Sequence, residues 1–377
     1  ARFHGKDWNA KLQRKYYDFL LDHRFSPTEQ YGQILSPRQD MKYCLDRGMN
    51  TVYLYSVDGD QDKPTKALMD KIKPGYEKVR DMGALDYALV YIGDETSKWD
   101  LMRRFSNAIR LKCPELMIMI GGSFPRKELD GVIDIYDPQI GGKSKTYGLS
   151  EEMTGKIAAS QARGERFFWY DAAGPMLPYP NVQCEEPLIA SRAVFWMTWK
   201  YGVTGFEYYC YAIWDYNMPT KAGKRWPDKP FNSRGWGKTN GDGMLYYPGP
   251  DGPFSSVRFE NIRDGIEDWE SHFVLRDYVE ALEKKGPRGA DAKLIAKAKK
   301  LLKVPDEVVK DLKTWTWEPA VLLAARRDLG ETIEAFAKRV SEKEMMAVRL
   351  GRFRAQTKRQ RAMLKTRAAQ ARKESKQ

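Results

Sequence analysis

The sequence predicts an α/β fold, most simply a (β/α)8 TIM-like barrel followed by a C-terminal helical region and a basic helical tail. Short apolar strands alternate with helical segments over residues 10–215, a pattern typical of a parallel sheet covered on both faces. No G-x-G-x-x-G motif opens a helix, which disfavours an open dinucleotide-binding sheet. Basic residues accumulate in the last segment, 349–377.

Six strands are evident in the predicted barrel. They cover residues 51–56, 85–92, 116–120, 132–136, 166–170 and 205–213. The helices that alternate with them or precede them cover 11–23, 37–48, 97–111 and 186–201. A barrel of eight strands requires two more, and we place a short one around 24–26 and another at or before the N-terminus.

The chain divides into three predicted parts. Residues 1–258 form the barrel domain, whose long loop 216–258 is rich in Gly, Pro, Trp and Asn. Long loops in compact domains are usually functional, and this one follows the last strand, so we expect it over the carboxyl end of the barrel. Residues 259–348 form helices packed on the barrel, including one at 306–313, and 349–377 is the tail.

The positive charge of the chain is concentrated in the tail. Residues 349–377 contain eleven Lys and Arg against one acid, so they carry +10 of the net charge of +13. The nearly neutral body is therefore not expected to bind nucleic acid. Apolar residues become sparse after Leu350, and we predict a long helix that extends from the body and contacts a neighbouring chain or a polyanion.

The remaining composition excludes several classes of site. The four cysteines and three histidines are scattered without metal-ligand spacing, so neither a metal nor a cofactor is expected. No apolar run is long enough to span a membrane. The oligomeric state is not fixed by the sequence.

The strongest local signal for chemistry is the pair Asp94-Glu95, which follows the predicted strand 85–92. Groups at the carboxyl ends of barrel strands face the active site, and apolar surroundings can keep one carboxyl protonated near neutral pH. The alternative is that the pair caps the following helix, where Asp and Glu are also favoured.

Further candidates for substrate contact fall at strand ends or in the long loop. They are Arg24, Asp137, Tyr170, Asp171, Trp214, Trp236, Asp242 and Tyr246. Trp214 could offer an aromatic face to a substrate ring. Glu207 lies within a predicted strand, where a buried carboxylate must be either paired or functional.

Two sequence elements carry a resemblance to a known family. They are the G-D-G-x-L-x-Y-P-G run at 241–249 and the R-D-G-I-E-D run at 263–268, together with Tyr17–Arg24 and the Ala-Ala-Arg-Arg run at 324–327. Over about residues 10–340 the chain resembles glycoside hydrolase family 123, whose characterised members are β-N-acetylgalactosaminidases. The resemblance implies a secreted or periplasmic enzyme that acts on a glycan.

The resemblance also implies a substrate-assisted retaining mechanism that uses Asp94 and Glu95. Glu95 would protonate the glycosidic oxygen and later deprotonate water, while Asp94 would orient the 2-acetamido group of the substrate. That group would attack its own anomeric carbon and form an oxazolinium ion. The family's Asp-Glu pair is commonly followed by Pro, whereas Thr96 stands here.

Two other functions fit the same residues. An ordinary retaining glycosidase would use Glu95 as acid/base and Asp171 as nucleophile, with the carboxyls about 5–5.5 Å apart. A barrel that binds glycans without hydrolysing them would need neither an acid/base nor a nucleophile. Fold alone does not decide between these functions.

Overall fold

The structure is a computed structural model that describes residues 4–28, 40–57, 63–142, 147–213 and 239–376. Its strands, in chain order, are β1 (Val52–Val57), β2 (Ala88–Ile92), β3 (Met117–Gly121), β4 (Ile135–Asp137), β5 (Gln139–Ile140), β6 (Gly148–Leu149), β7 (Arg166–Asp171), β8 (Gly205–Tyr208), β9 (Tyr247–Gly249) and β10 (Gly252–Phe254). The helices are α1 (Ala10–Asp22), α2 (Met41–Asp46), α3 (Lys66–Asp81), α4 (Trp99–Lys112), α5 (Gly155–Ala162), α6 (Ala190–Lys200), α7 (Val257–Glu283), α8 (Ala290–Leu301), α9 (Pro319–Ala337) and α10 (Glu342–Glu374).

The core of the fold is one parallel sheet of eight strands. Six run in the order β1-β2-β3-β4-β7-β8, and the short strands β5 and β6 extend from β7. This confirms the predicted parallel α/β architecture and its six principal strands. Among the described residues β1 and β8 do not pair, so a closed eight-stranded barrel is not seen.

The sheet is nevertheless strongly curved. Neighbouring strands lie about 4.8 Å apart, so a flat sheet would separate β2 and β7, three strands apart, by roughly 14 Å. The hydroxyl of Tyr170 on β7 instead hydrogen-bonds the carboxyl of Glu95, which follows β2. The inward face is filled by Tyr53, Leu89, Tyr91, Met117, Met119, Ile135 and Phe168, and the larger core lies on the outer face, under the helices.

The predicted strand at 24–26 is wrong. Arg24 has a left-handed backbone with φ of 68°, which interrupts an extended chain. The segment that follows lies beside β1 and is held through side-chain hydroxyls: the amide of Asn50 donates to Ser26 Oγ over 3.2 Å, and that of Tyr53 to Thr28 Oγ1 over 3.2 Å. On the side of β1 away from β2, these side-chain contacts take the place of the backbone hydrogen bonds that a strand would make.

The predicted helix at 306–313 is also wrong. Val308 and Val309 both donate to the carbonyl of Pro305, but the turn goes no further. The Asp311 carboxylate accepts from the amides of Lys313 and Thr314 at 2.8 and 2.7 Å, and Val309 forms an antiparallel bridge with Trp315. A short polar side chain that bonds its own backbone competes with helix formation.

The tail is helical, as predicted, but its predicted extension away from the body is wrong. Helix α10 begins at Ser341 with a capping box that includes Glu344, then folds back across the amino ends of the strands. Arg361 pairs with Asp86, just before β2. Arg367 pairs with Asp134 at 2.7 Å and with Glu165 at 2.6 Å, just before β4 and β7. Buried ion pairs therefore replace the apolar contacts that the tail lacks.

The two elements that carry the family resemblance are structural supports. Asp268 is fully buried and accepts bonds from Arg192, Trp196 and Arg326, the last being part of the Ala-Ala-Arg-Arg run. It ties α6, α7 and α9 together. The 241–249 run makes a turn in which Gly241 and Gly243 adopt left-handed φ values. The backbone carbonyls of Gly241 and Met244 accept hydrogen bonds from the Arg258 guanidinium.

Candidate active site

The candidate active site lies at the carboxyl ends of the strands, where the inward-facing positions are polar. Strand pairing brings Gly121 opposite Asp137 and Tyr170 opposite Glu207. Because side chains alternate between faces, these residues continue the inward face that deeper in the sheet holds Met119, Ile135 and Phe168. The polar rim therefore follows from strand register.

Asp94 and Glu95 lie at this rim and are both exposed to solvent. Helix α4 begins only at Trp99, and its N-cap, Lys98, makes no side-chain capping bond. The helix-capping interpretation of the pair is therefore wrong. The Tyr91 hydroxyl donates to Asp94 Oδ1 over 2.9 Å and fixes the direction of that carboxylate.

Glu95 is held in an unusual backbone conformation. Its φ is 45°, in the left-handed region that non-glycine residues rarely adopt, and such strain is concentrated at functional sites. The neighbouring Gly122 makes room for it, because a Cβ at that position would lie 2.7 Å from Glu95 Cα. Gly121 likewise leaves space for the Tyr91 hydroxyl that reaches Asp94. The Gly121-Gly122 pair directly after an apolar strand was the sequence signal for this, and the reasoning from sequence missed it.

The environment of Glu95 favours its protonated form. The residue as a whole is exposed, but its carboxyl is partly withdrawn from water, and this desolvation raises its pKa. The negative charge of Asp94 raises the pKa further, whereas the hydrogen bond from Tyr170 lowers it. A carboxyl with a raised pKa and access to solvent can act as a general acid.

Asp137, which is fully buried, and Glu207, which is partly buried, form a carboxyl pair on the inward face, near Asp94. Burial raises the pKa of Asp137 well above its usual range, and the charge of Glu207 adds to this. The pKa of Glu207 is raised to about 7 by burial, although a hydrogen bond from Asp137 opposes that change. Two carboxyls placed so close together do not ionise independently, so we infer that they titrate as a pair. Glu207, for which the sequence predicted either a partner or a functional role, has Asp137 as its neighbour on the inward face.

Asp171 does not face the site. It follows Tyr170 on β7 and so lies on the outer face, where it is fully buried, and the charge of Glu186 adds to the effect of burial in raising its pKa. It is therefore not placed to act on a molecule bound beside Glu95 on the inward face. Within the described segments, Arg24 also makes no contact with the Asp94-Glu95 pair: it forms ion pairs with Glu267 and Glu270 on α7. It lines a cavity of about 630 Å³ that follows the whole of β8, including Glu207, and also reaches β1 and the amino end of β7.

The candidates from the long loop separate into two groups. Asp242 is buried and accepts from the Tyr208 hydroxyl over 3.2 Å, and Tyr246 packs in an aromatic cluster with Phe19 and Phe259. Both support the fold, and neither is brought to Asp94 and Glu95. Trp214 and Trp236 lie outside the described residues.

The described ranges bring together no group of three or more metal-ligating His, Cys, Asp or Glu side chains. Within the same ranges, no helix is long and apolar enough to cross a membrane.

Comparisons with known proteins identify the family. None of the curated proteins matches the chain. A solved structure of a family 123 glycoside hydrolase from Clostridium perfringens is similar, with 13% identity and a TM-score of 0.44. The match covers 78% of this chain and 48% of that one, so this chain spans about half the length of that relative. The family model for the catalytic domain of glycoside hydrolase 123 matches residues 29–274, more than half of the chain. The chain therefore belongs to glycoside hydrolase family 123.

Proposed function

We propose that this protein is a retaining glycoside hydrolase that removes terminal β-linked 2-acetamido sugars, of the N-acetylgalactosamine type, by substrate-assisted catalysis. One observation carries the proposal: Asp94 and Glu95 stand side by side at the carboxyl end of β2, with Glu95 in a strained backbone for which Gly122 makes room. Neighbouring carboxyls with different surroundings suit two different roles.

Glu95 is the general acid and base. Its raised pKa keeps part of the carboxyl protonated at pH values where an ordinary glutamate is ionised, so it can protonate the leaving oxygen. After the aglycone departs, the same carboxylate removes a proton from the attacking water. The Tyr170 hydroxyl holds the carboxylate in position for both steps.

Asp94 is the residue that orients the substrate's acetamido group. Its carboxylate, fixed by the Tyr91 hydroxyl, would accept the acetamido N–H and stabilise positive charge as the oxazolinium ring closes. The nucleophile is then the substrate's own carbonyl oxygen, and no enzyme carboxylate has to lie across the sugar.

The positions of the other carboxyls favour this mechanism over a conventional one. Asp171, the nucleophile of the alternative scheme, lies on the outer face of β7. Asp137 and Glu207 do face inward, but burial raises the pKa of both, which disfavours the ionised form that a nucleophile needs. Membership of glycoside hydrolase family 123 supports a glycan as the substrate.

Leaving-group dependence tests the two roles. With aryl 2-acetamido glycosides, we expect Glu95→Gln to lower kcat/KM by about 10²–10⁴ for poor leaving groups and much less for good ones, which need no protonation. Asp94→Asn should slow all substrates, because the acetamido oxygen forms its bond to the anomeric carbon as the bond to the leaving group breaks, whatever that group is. Full activity in either variant, or equal leaving-group dependence in both, would refute the assignment.

A further inference from the structure

The exposed side of α10 carries a line of cations. Arg354, Lys358, Arg361, Lys365 and Arg372 are all exposed, and their spacing of 4, 3, 4 and 7 residues places them along one side of the helix. We call these five residues the cationic stripe. The adjacent side of α10, about a quarter turn from the stripe, is buried against the body through Gln360, Leu364, Arg367, Ala368 and Ala371.

The stripe is long, straight and almost unneutralised. At 1.5 Å per residue, Arg354 and Arg372 are about 27 Å apart along the helix axis. The sequence has no acid between Glu344 and Glu374. Arg361 pairs with Asp86 over 3.3 Å, and in the described part of the chain the other four stripe residues form no ion pair.

This arrangement works against the stability of the helix. Arg354 and Lys358, and Arg361 and Lys365, are like charges four residues apart, and such pairs are destabilising. Acids at exposed positions of α10 would relieve the repulsion without touching its buried side. Anchoring α10 at the amino ends of the strands therefore does not explain the stripe, whereas an anionic partner would.

We propose that the cationic stripe binds a linear anionic polysaccharide, one bearing sulfate or carboxylate groups. The last aromatic residue in the sequence is Phe353, so the stripe lacks the rings on which unpaired nucleic-acid bases stack. The exposed large apolar residues of α10 are Leu350 and Phe353, both before the stripe, so it also lacks the apolar face of a helix that inserts into a membrane surface.

The stripe and the candidate active site are at opposite ends of the sheet. Helix α10 crosses the amino ends of β2, β4 and β7, whereas Asp94 and Glu95 follow the carboxyl end of β2. A polymer on the stripe therefore leaves the active site open. Binding at the stripe does not depend on the hydrolase proposal.

The test compares two fourfold variants of the full chain on immobilised heparin, a sulfated polysaccharide. One variant carries Arg354→Gln, Lys358→Gln, Lys365→Gln and Arg372→Gln. The control carries Lys293→Gln, Lys297→Gln, Lys300→Gln and Lys303→Gln, four exposed lysines in and after α8 with the same loss of charge. Thermal unfolding of the control should match that of the parent protein, and the stripe variant should be at least as stable as the parent, because no buried contact changes and the two repulsive pairs are relieved.

We expect the stripe variant to bind heparin at least tenfold more weakly at about 0.1 M salt, with a salt dependence reduced by roughly three to four ions. The control variant should retain most of the parent's affinity. Equal losses in both variants would show only a net-charge effect and overturn the proposal. Stripe-dependent binding to duplex DNA or to anionic lipid vesicles, with none to heparin, would also overturn it. Turnover of an aryl glycoside is measured in parallel, and its presence or absence does not alter the binding result.

Discussion

The hydrogen bond from Tyr170 lowers the pKa of the proposed general acid, Glu95, and Tyr170→Phe tests that effect. The substitution removes the hydroxyl that donates to Glu95 and keeps the ring that packs on the inward face. A donor stabilises the ionised carboxylate, so its loss should raise the pKa of Glu95 above its already raised value. The acid would then stay protonated to higher pH.

The size of the effect follows from the exposure of Glu95. A hydrogen bond to a charged group contributes about 1.5–3 kcal/mol when buried. Glu95 is exposed, so water replaces part of the lost bond, and about 1 kcal/mol is a fair value. Since one pKa unit corresponds to about 1.4 kcal/mol, the pKa should rise by about 0.7 units.

Two measurements would detect this shift in the pKa of Glu95. The basic limb of the kcat/KM profile should move to higher pH by the same amount, and a carbon-13 NMR titration of the Glu95 carboxyl should report it directly. Asp94→Asn, which removes a repelling charge, should move the NMR titration to lower pH. Tyr53→Phe, deeper on the inward face, serves as the control and should leave it unchanged. A downward shift or no shift in Tyr170→Phe would refute the reasoning.

Three further predictions concern the supports of the site, the tail and the intermediate. Gly122→Ala should lower kcat/KM at least tenfold, because the added Cβ would displace Glu95. The control, Gly83→Ala, has a similar φ but no atom within 4 Å of the added Cβ, so it should affect only stability. Equal activity of the two variants would contradict the close approach of Gly122 to Glu95. Arg367→Met should lower the free energy of unfolding in urea by about 3 kcal/mol, since it leaves Asp134 and Glu165 each short of a buried partner, while Arg359→Met at an exposed position should change it little. A thiazoline analogue of an N-acetyl sugar should inhibit strongly because it mimics the oxazolinium ion, and indifference to it in an active preparation would count against the mechanism.

The sequence predicted the sheet well because buried parallel strands have a distinctive apolar pattern. Strand 85–92 ended where β2 ends, and the acids directly after it lie at the site. The same reasoning could not assign faces: Tyr170 and Asp171 both ended a predicted strand, but only strand register shows that Tyr170 points inward.

The tail was misjudged because its stability depends on distant residues. Arg367 appeared to be one more charge in a solvated segment, yet its partners Asp134 and Glu165 lie some 200 residues earlier in the chain. Asp242 and Tyr246 were predicted from the sequence as substrate contacts, and their packing partners on β8 and among the α1 aromatic residues were likewise not foreseen. Pairings between distant segments are not visible in local patterns.

The most direct test of the proposed mechanism compares two aryl β-galactosides that differ only at C2, one with an acetamido group and one with a hydroxyl. If the acetamido oxygen is the nucleophile, the protein should hydrolyse the first at least about 10²-fold faster, and Glu95→Gln should diminish that activity. Comparable hydrolysis of both sugars would contradict substrate-assisted catalysis and would require an enzyme nucleophile.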